Sequence, residues 1–262
     1  MDGSGEVERF EHLMRGDIPI GRFHRYGADP PSAELFEVMA DLDPVVDQIL
    51  TDLAGWNLTT TDEALASALV DRGALPTRHF SLMTIALDAL DALDALDALD
   101  GSKAVLDAYD VRPLDAETEI PRDVIGLVRS AYPLGHPDEE LGSDDDIVRD
   151  IRNALAGDRL GPLMDASAFV YDGDRLAALV LVNRVMGTAP TGGPWITDIC
   201  RDPHQRYAGM GRALLVHVLT GCRTAGETSV SLAVTVGNSA RGLYESLGFS
   251  LVATTRRVRL PG

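Results

Sequence analysis

The sequence predicts an α/β protein in which a mixed, twisted sheet carries helices on both faces, and three features of its C-terminal part indicate this. Residues 168–182 form two apolar runs around Asp172-Gly173, a pair typical of the tight turn in a β-hairpin. Residues 195–200 and 230–236 are predicted strands, since bulky residues recur at every second position of 230–236. Between these two strands lie a glycine-containing loop and the apolar, helix-like run 212–219. A helix between two strands is typical of the α/β class.

The remaining elements follow in chain order. Helices are predicted over 32–53 and 62–71, the second after the cap signal Thr59-Thr-Thr-Asp62, and a strand over 79–87. Residues 108–113 then fit a strand, and 121–131 and 146–156 fit helices. The run Asp144-Asp-Asp146 is interpreted as an N-cap with favourable dipole charge and not as a metal site. Residues 186–194 are rich in glycine and proline, which predicts a loop.

A low-complexity tract divides the chain. From Asp88 to Asp100 the unit Asp-Ala-Leu repeats with period three, and such a period turns the leucines around a helix axis instead of aligning them on one face. The tract is therefore expected to be an exposed acidic helix or a poorly ordered spacer. It separates an N-terminal α+β accessory region, 1–87, from a larger domain, 102–262, with 88–101 as the linker.

Composition and charge limit the classes of function. The chain of 262 residues has a net charge of −18, and residues 1–100 hold 20 acidic and 6 basic side chains against 21 and 17 in the rest. Such a balance argues against nucleic acid or an anionic membrane as a partner. With no apolar run of bilayer length and no signal-peptide pattern, the expectation is a soluble cytoplasmic protein. Cys200 and Cys222 lack the spacing of a metal site, and no metal is expected.

The loop before the helix at 212–219 carries Gly209 and Gly211. Glycines at the start of a helix leave backbone N–H groups uncovered, and the helix dipole adds positive potential there. This favours a phosphate-bearing cofactor, although the two glycines could also form a tight strand-to-helix turn. Arginines cluster near this loop although the chain as a whole is acidic, and their side chains could hold phosphates: Arg201, Arg206, Arg212 and Arg241.

Two motifs together resemble the GNAT superfamily of acyl-CoA-dependent N-acyltransferases. The first, Arg206-Tyr-Ala-Gly209-Met-Gly211, is similar to the family's pyrophosphate loop Arg/Gln-x-x-Gly-x-Gly/Ala. The second, Asn238-Ser-Ala-Arg-Gly-Leu-Tyr244-Glu-Ser-Leu-Gly248-Phe249, is similar to the pattern of the following helix. The resemblance implies a GNAT fold for the domain and acetyl-CoA as acyl donor.

The resemblance also implies residue roles. Acyl-CoA would meet the strand before the loop and then the loop itself, and the residues implied in cofactor binding are Ile199, Cys200, Arg201, Arg206, Tyr207, Ala208, Gly209, Met210, Gly211, Arg212, Asn238 and Arg241. Tyr244 matches the tyrosine that protonates the leaving thiolate in many relatives. The spacing of Ala240, Leu243, Tyr244 and Leu247 is equally that of a buried helix face, and Asn238 equally suits a helix cap.

The general base is open at this point. Trp195 stands near the position where several relatives carry a glutamate. Asp198 is the nearest carboxylate, three residues later, and simple alternation puts it on the opposite strand face unless a bulge intervenes. His204 is also near the loop, and a water chain could act without either residue.

The sequence thus predicts an N-acetyltransferase that transfers an acyl group, in the first place acetyl, to an amine of a small molecule or peptide by direct attack. The acidic surface would suit a cationic acceptor. The alternative is a non-catalytic acyl-CoA-binding sensor or protein-interaction module. Residues 69–78 resemble 244–252 in a helix-glycine-strand pattern, so the accessory region could be a degenerate half-copy of the fold. A homodimer is left open.

Overall fold

The computed structural model describes residues 10–26, 30–88, 95–139, 142–158, 160–185 and 192–262, with only the backbone at 26 and 95–100. Contacts divide the chain into two compact units. One comprises Met1–Leu82 with Ala253–Gly262, and the other comprises Met83–Val252. The division expected from the sequence, at 88–101, stays a prediction, and residues 89–94 of the Asp-Ala-Leu tract lie outside the described residues.

The first unit is a sheet with two helices. Its elements are β1 (Glu11–Arg15), β2 (Ile18–Tyr26), β3 (Ser32–Val38), α1 (Leu42–Asp52), β4 (Asn57–Thr60), α2 (Glu63–Asp71), most of β5 (Leu75–Ala86) and most of β11 (Ser250–Arg259). Strands β1, β2 and β3 are antiparallel, β3 and β4 are parallel, and β11 pairs antiparallel with β4. Buried residues such as Phe36, Ile49, Leu65 and Val258 form its core.

The second unit has helices on both faces of its sheet, as the sequence predicts. Its further elements are α3 (Ala95–Leu106), β6 (Asp110–Pro113), α4 (Val124–Ala131), α5 (Asp144–Ala156), β7 (Ala168–Asp172), β8 (Arg175–Val185), β9 (Gly193–Arg201), α6 (Met210–Thr224), β10 (Ser229–Thr235) and α7 (Ala240–Ser246). Strands β6 to β9 are antiparallel and β9 and β10 are parallel, so the sheet is mixed. One core lies against α6 and α7, the other against α4 and α5.

Most predicted elements are present, and two expectations were wrong. The predicted helix 32–53 is a strand, β3, followed by α1 from Leu42. The N-cap of α5 is Ser143, which forms a capping box with Asp146, while Asp144 and Asp145 lie in the first turn. The last part of the tract 88–100 belongs to α3, which begins at Ala95 and ends at Leu106, a buried core residue. Of the predicted loop 186–194, residues 186–191 lie outside the described residues and Gly193 begins β9.

The order of elements occurs twice along the chain. The sequence β-β-β-α-β-α-β describes both β1 to β5 and β7 to β11, and in each case the third and fourth strands are parallel neighbours. This repetition supports the interpretation of the N-terminal region as a half-copy of the fold. Among the described helices, none combines the length and apolar character needed to span a bilayer.

Candidate active site

The start of α6 forms the first part of the site. A single 3-10 turn, Gln205–Tyr207, follows β9, and Gly209 then takes the left-handed conformation, with φ of 86° and ψ of −18°, at the N-cap of α6. The first N–H groups of a helix have no intrahelical acceptors, and no acidic side chain lies in the first turn of α6. The backbone here therefore offers donors and positive potential to an anion.

The space beside Gly209 is open. A Cβ atom added at Gly209 would meet no atom within 4 Å, whereas at Gly211 it would lie 3.7 Å from Leu243 Cδ2, an ordinary contact. Gly209 is thus required by its backbone conformation and leaves its surroundings open. Ala208 next to it is exposed, while the side chains of Tyr207 and Met210 are buried in the core, so those two residues can offer a cofactor only their backbone.

The four arginines that the sequence offers as phosphate ligands all contact other protein groups in the structure. Arg206 Nη2 lies 3.2 Å from Asp172 Oδ2 and also contacts the Tyr207 hydroxyl, which donates to the same Asp172 oxygen at 3.0 Å. Phosphate would have to compete with that carboxylate for Arg206. The other three each contact a nearby residue: Arg201 Nη1 donates to Asp202 O at 2.7 Å, Arg212 Nη1 to Ser246 Oγ at 3.0 Å, and Arg241 Nε to Glu245 Oε1 at 2.8 Å.

Strand β9 carries a bulge just before Asp198. Leu181 of β8 pairs with Asp198 and Val182 pairs with Ile196, which leaves Thr197 as an extra residue. A bulge shifts the alternation of side chains by one position. Accordingly Ile196 belongs to the core on the α6 face, whereas Cys200 belongs to the core on the α4 and α5 face. Asp198 is thereby turned toward α4, to the same face as Trp195.

The parallel pairing of β9 with β10 is short, because only Trp195–Ser231 and Ile196–Leu232 are in register. Beyond these pairs β9 and β10 are not paired, which leaves an opening in the ladder, and the residues that follow Ile196 on β9 are Thr197, Asp198, Ile199 and Cys200. Cys200 is buried, and Ile199 packs against the core on the α6 face. Their backbone groups, more than their side chains, are available to a ligand in this opening.

The carboxyl of Asp198 lies among protein atoms next to Tyr132 at the C-terminal end of α4. The Tyr132 hydroxyl donates to Asp198 Oδ1 at 2.9 Å and approaches Ile199 O at 3.4 Å. Desolvation raises the pKa of Asp198 to about 6, although the Tyr132 hydrogen bond acts in the opposite direction. A carboxylate with this pKa is ionised at neutral pH and can still accept a proton from a bound group.

Tyr244 on α7 is buried, with 7% of its surface exposed, and its ring centroid lies 5.9 Å from that of Phe249. Its hydroxyl makes no hydrogen bond to any residue that the structure describes. Burial raises the pKa of Tyr244 to about 12, and the charges of Asp198 and Asp138 add to the increase. The phenol therefore keeps its proton at neutral pH.

Asp138, in the segment between α4 and α5, is the residue that the sequence analysis missed. Its carboxylate accepts hydrogen bonds from Thr235 Oγ1, at the end of β10, and from Asn238 Nδ2 at 2.9 Å. Asn238 Oδ1 in turn accepts the N–H of Ala240 at 2.8 Å, so Asn238 caps the start of α7. No sequence signal marks Asp138, because these contacts join residues about a hundred positions apart in the chain.

His136 and His204 are two further titratable groups in this region. His136 Nδ1 accepts the N–H of Asp138 at 3.0 Å, and its ring lies edge-on to Tyr132 with 5.2 Å between centroids. His204, exposed beside the loop, accepts the N–H of Arg206 at 3.2 Å through Nδ1. In the described part of the chain, no group of three or more His, Cys, Asp or Glu side chains is arranged to hold a metal ion.

Comparison with known proteins gives a family match over this region. Residues 168–259 match the family model described as the acetyltransferase (GNAT) domain. The ribosomal protein bS18-alanine N-acetyltransferase of Salmonella typhimurium is 37% identical over 89 residues, which cover 34% of this chain and 56% of that protein. Its counterpart in Escherichia coli K12 is 35% identical over 88 residues, 33% of this chain and 55% of that protein. The chain thus spans about half the length of the curated relatives it matches.

Solved structures resemble the fold over nearly the whole chain. A tandem GNAT protein from the clavulanic acid biosynthesis pathway superposes with a TM-score of 0.57 at 14% identity, covering 94% of this chain and 80% of that protein. A GCN5-related N-acetyltransferase from Sphaerobacter thermophilus gives 0.55 at 13% identity, with coverages of 93% and 78%. At these identities the likeness concerns the fold alone. A tandem arrangement is consistent with the repeated element order.

Proposed function

We propose that the protein, whose residues 168–259 match the family model of the acetyltransferase (GNAT) domain, transfers an acyl group, acetyl in the first place, from acyl-CoA to an amine. The observation that carries the proposal is the uncovered start of α6 directly after the bulged strand β9. The bulge turns Asp198 toward Tyr132, and the following helix presents free N–H groups at Gly209. This arrangement supports phosphate binding and acyl transfer at neighbouring positions of one unit.

Each step of the proposed reaction is assigned to particular groups of the protein. The N–H groups at the start of α6 are assigned the pyrophosphate of the donor, with Arg212 and Arg241 as the candidates that would contribute charge. The opening between β9 and β10 receives the thioester, whose carbonyl oxygen can accept a hydrogen bond from a β9 backbone N–H. Asp198 accepts the proton that an acceptor ammonium must lose before its nitrogen can attack.

Tyr244 is the proposed acid. When the nitrogen–carbonyl bond forms and the carbon–sulfur bond breaks, the phenol gives its proton to the departing thiolate. The second proton of the attacking nitrogen then restores the phenol, and Asp198 releases the first proton to solvent. The sum is one amide, one thiol and one released proton per ammonium consumed. The hydroxyl has no partner among the described residues, which leaves its proton free for this transfer.

The acceptor is proposed to be an amine of a peptide or small molecule. The curated relatives are named for an alanine of ribosomal protein bS18, which makes a peptide amino terminus one candidate for this chain. A second function, acyl-CoA binding without transfer, is favoured by one observation only: Trp195, and no carboxylate, lies near the position where several GNAT relatives have a glutamate base.

Two measurements test the proposal. Acetyl-CoA should bind in a calorimetric titration and should raise the thermal stability. A native protein that binds no acetyl-CoA would overturn the proposal as a whole. A panel of peptides and small amines should then release CoA thiol in the presence of acetyl-CoA. Tight binding without thiol release across the panel would favour the binding module.

A further inference from the structure

One short segment between α4 and α5 contacts both sides of the opening between β9 and β10. At its start, the Tyr132 hydroxyl donates to Asp198 Oδ1 on β9 at 2.9 Å. At its end, the Asp138 carboxylate accepts a hydrogen bond from Asn238 Nδ2, just after β10, at 2.9 Å. Residues 132–138, here called the brace, therefore join β9 to the chain after β10, beyond the short stretch where those strands pair.

The brace is held together by its own hydrogen bonds. The His136 N–H donates to Pro133 O at 2.9 Å, and the Asp138 N–H donates to His136 Nδ1 at 3.0 Å. The ring centroids of Tyr132 and His136 lie 5.2 Å apart. Because both ends are tied to one histidine, the brace is an ordered segment that can hold its two outer contacts at a fixed separation.

The contact with Asp138 fixes the orientation of the Asn238 side chain. A carboxylate only accepts hydrogen bonds, so Asn238 turns its Nδ2 group toward Asp138. Its Oδ1 atom then faces α7, where it accepts the Ala240 N–H at 2.8 Å. Ser239, directly before the helix, makes no side-chain cap hydrogen bond. Asn238 therefore caps α7, and Asp138 determines which way its amide faces.

Helix α7 carries Tyr244, about one turn after Ala240. The Phe249 N–H donates to Tyr244 O at 3.1 Å, and the two rings lie 5.9 Å apart between centroids. A helix of seven residues has few internal hydrogen bonds, so its position depends on the contacts at its ends. One of these ends is held by Asn238.

We propose that Asp138 is a positioning residue for the transfer reaction: by orienting Asn238 it fixes the start of α7, and with it the place of Tyr244 relative to Asp198 at the other end of the brace. This inference rests on the proposed function, in which Tyr244 gives a proton and Asp198 accepts one. Asp138 itself touches no reacting atom. Proton transfer needs a donor and an acceptor within hydrogen-bonding reach, so a small shift of α7 would slow the reaction without removing any reacting group.

The test exchanges the two partners. Asn238→Asp keeps an oxygen for the Ala240 N–H but sets a second carboxylate against Asp138, and this repulsion should displace α7. The double variant Asp138→Asn/Asn238→Asp restores the contact with reversed polarity, because the new amide can donate to the new carboxylate. Glu139→Gln combined with Asn238→Asp is the matched control: it removes a charge next to Asp138, and its amide oxygen can still accept from the Gly135 N–H.

Two measurements follow the effect. Amide hydrogen exchange over residues 240–246 should be about tenfold faster in Asn238→Asp, return close to the native rate in the double variant and stay fast in the control. Thiol release from acetyl-CoA, with an amine of the panel as acceptor, should show a kcat about tenfold lower in Asn238→Asp at an unchanged KM for acetyl-CoA, with the same recovery.

Native exchange rates in Asn238→Asp would overturn the proposal, as would a recovery by Glu139→Gln as complete as that by Asp138→Asn. Fast exchange with an unchanged kcat would also overturn it, because Asp138 would then support stability alone. If Asn238→Asp does not fold, Asp138→Ala replaces it and is compared with Glu139→Ala, and equal behaviour of these two contradicts the proposal. If no amine releases thiol, the proposed function fails, and the exchange rates alone decide whether Asp138 holds α7.

Discussion

The carboxyl of Asp198 opposes folding at neutral pH. Its pKa rises from an ordinary 3.8 to about 6 on desolvation, so the folded state holds this proton more tightly than the unfolded state. Below pH 3.8 the carboxyl is protonated in both states and does not destabilise the fold. The stability that this bound proton contributes is lost as the pH rises through 6. The same shift suits a base that must accept a proton near neutral pH.

Asp198→Asn should therefore stabilise the protein at pH 7 while abolishing its catalysis. The gain in free energy of unfolding should reach about 2 to 3 kcal/mol at pH 7 and vanish toward pH 4, because the amide cannot ionise and can still accept from Tyr132. Thermal unfolding measured at both pH values checks this. A variant less stable than the native protein at pH 7 would show that the carboxylate is not the desolvated group described here.

Tyr244→Phe separates catalysis from packing at a second residue. The substitution keeps the ring against Phe249 and removes only a hydroxyl that has no partner among the described residues. Turnover should fall by about a hundredfold or more with little change in acetyl-CoA affinity, since the phenol with its pKa of about 12 holds the proton the thiolate needs. Tyr171→Phe, on β7, is the matched control and should retain full turnover. Unchanged turnover in Tyr244→Phe, with chemistry rate-limiting, would end the assignment.

At the scale of single elements, the N-cap of α6, Gly209, has a structural role and a proposed binding role. Gly209 and Gly226 stand at opposite ends of this helix with similar left-handed conformations, φ of 86° and 83°, and neither has an atom within 4 Å of a built Cβ. A side chain at either position carries the same backbone strain, on the order of 1 kcal/mol. Only Gly209 lies beside the uncovered N–H groups.

Gly209→Val and Gly226→Val should consequently lose similar stability but differ in binding. The branched side chain at 209 would occupy the approach to the first N–H groups of α6, and the affinity for acetyl-CoA should fall at least tenfold, as an order of magnitude for a lost anion site. The Gly226 variant should bind as the native protein does. Calorimetric titration of both checks the prediction, and equal affinities would place the phosphates elsewhere.

The described part of the chain contains the same order of elements twice, and the features proposed for cofactor binding lie in the second copy. In the first copy the link from β3 to α1 is Met39-Ala40-Asp41, with Asp43 in the first turn of α1. Acidic side chains at a helix start satisfy its dipole and repel phosphate. Between β3 and β4, moreover, the Thr60 hydroxyl donates to Phe36 O at 2.8 Å and the Phe36 side chain is fully buried.

One chain should therefore bind one acyl-CoA. A calorimetric titration is expected to give a stoichiometry near one per chain, and Gly209→Val should remove that site without revealing another. Two sites per chain in the native protein would show that the first copy binds a cofactor despite Asp41, Asp43 and Phe36.

The predictions from local sequence patterns were right where the structure depends on residues close together in the chain. The Asp172-Gly173 hairpin, the helix after Gly211 and the strand at 230–236 all depend on turn chemistry or on periodicity within a few residues. The same reasoning predicted a helix at 32–53, because alanine, leucine and glutamate favour helix. The pairing of β3 with β2 and β4 overrides that propensity.

The sequence by itself determined the family resemblance, the place of the proposed cofactor loop and the candidates Asp198 and Tyr244, because each is a matter of residue type and short spacing. Only the tertiary structure decided how they meet. The bulge at Thr197 turns Asp198 toward Tyr132, the core takes the side chains of Tyr207 and Met210, and Asp138 joins Thr235 and Asn238 from about a hundred residues away. Strand register and long-range hydrogen bonds depend on which segments pack together, and no local pattern encodes that choice.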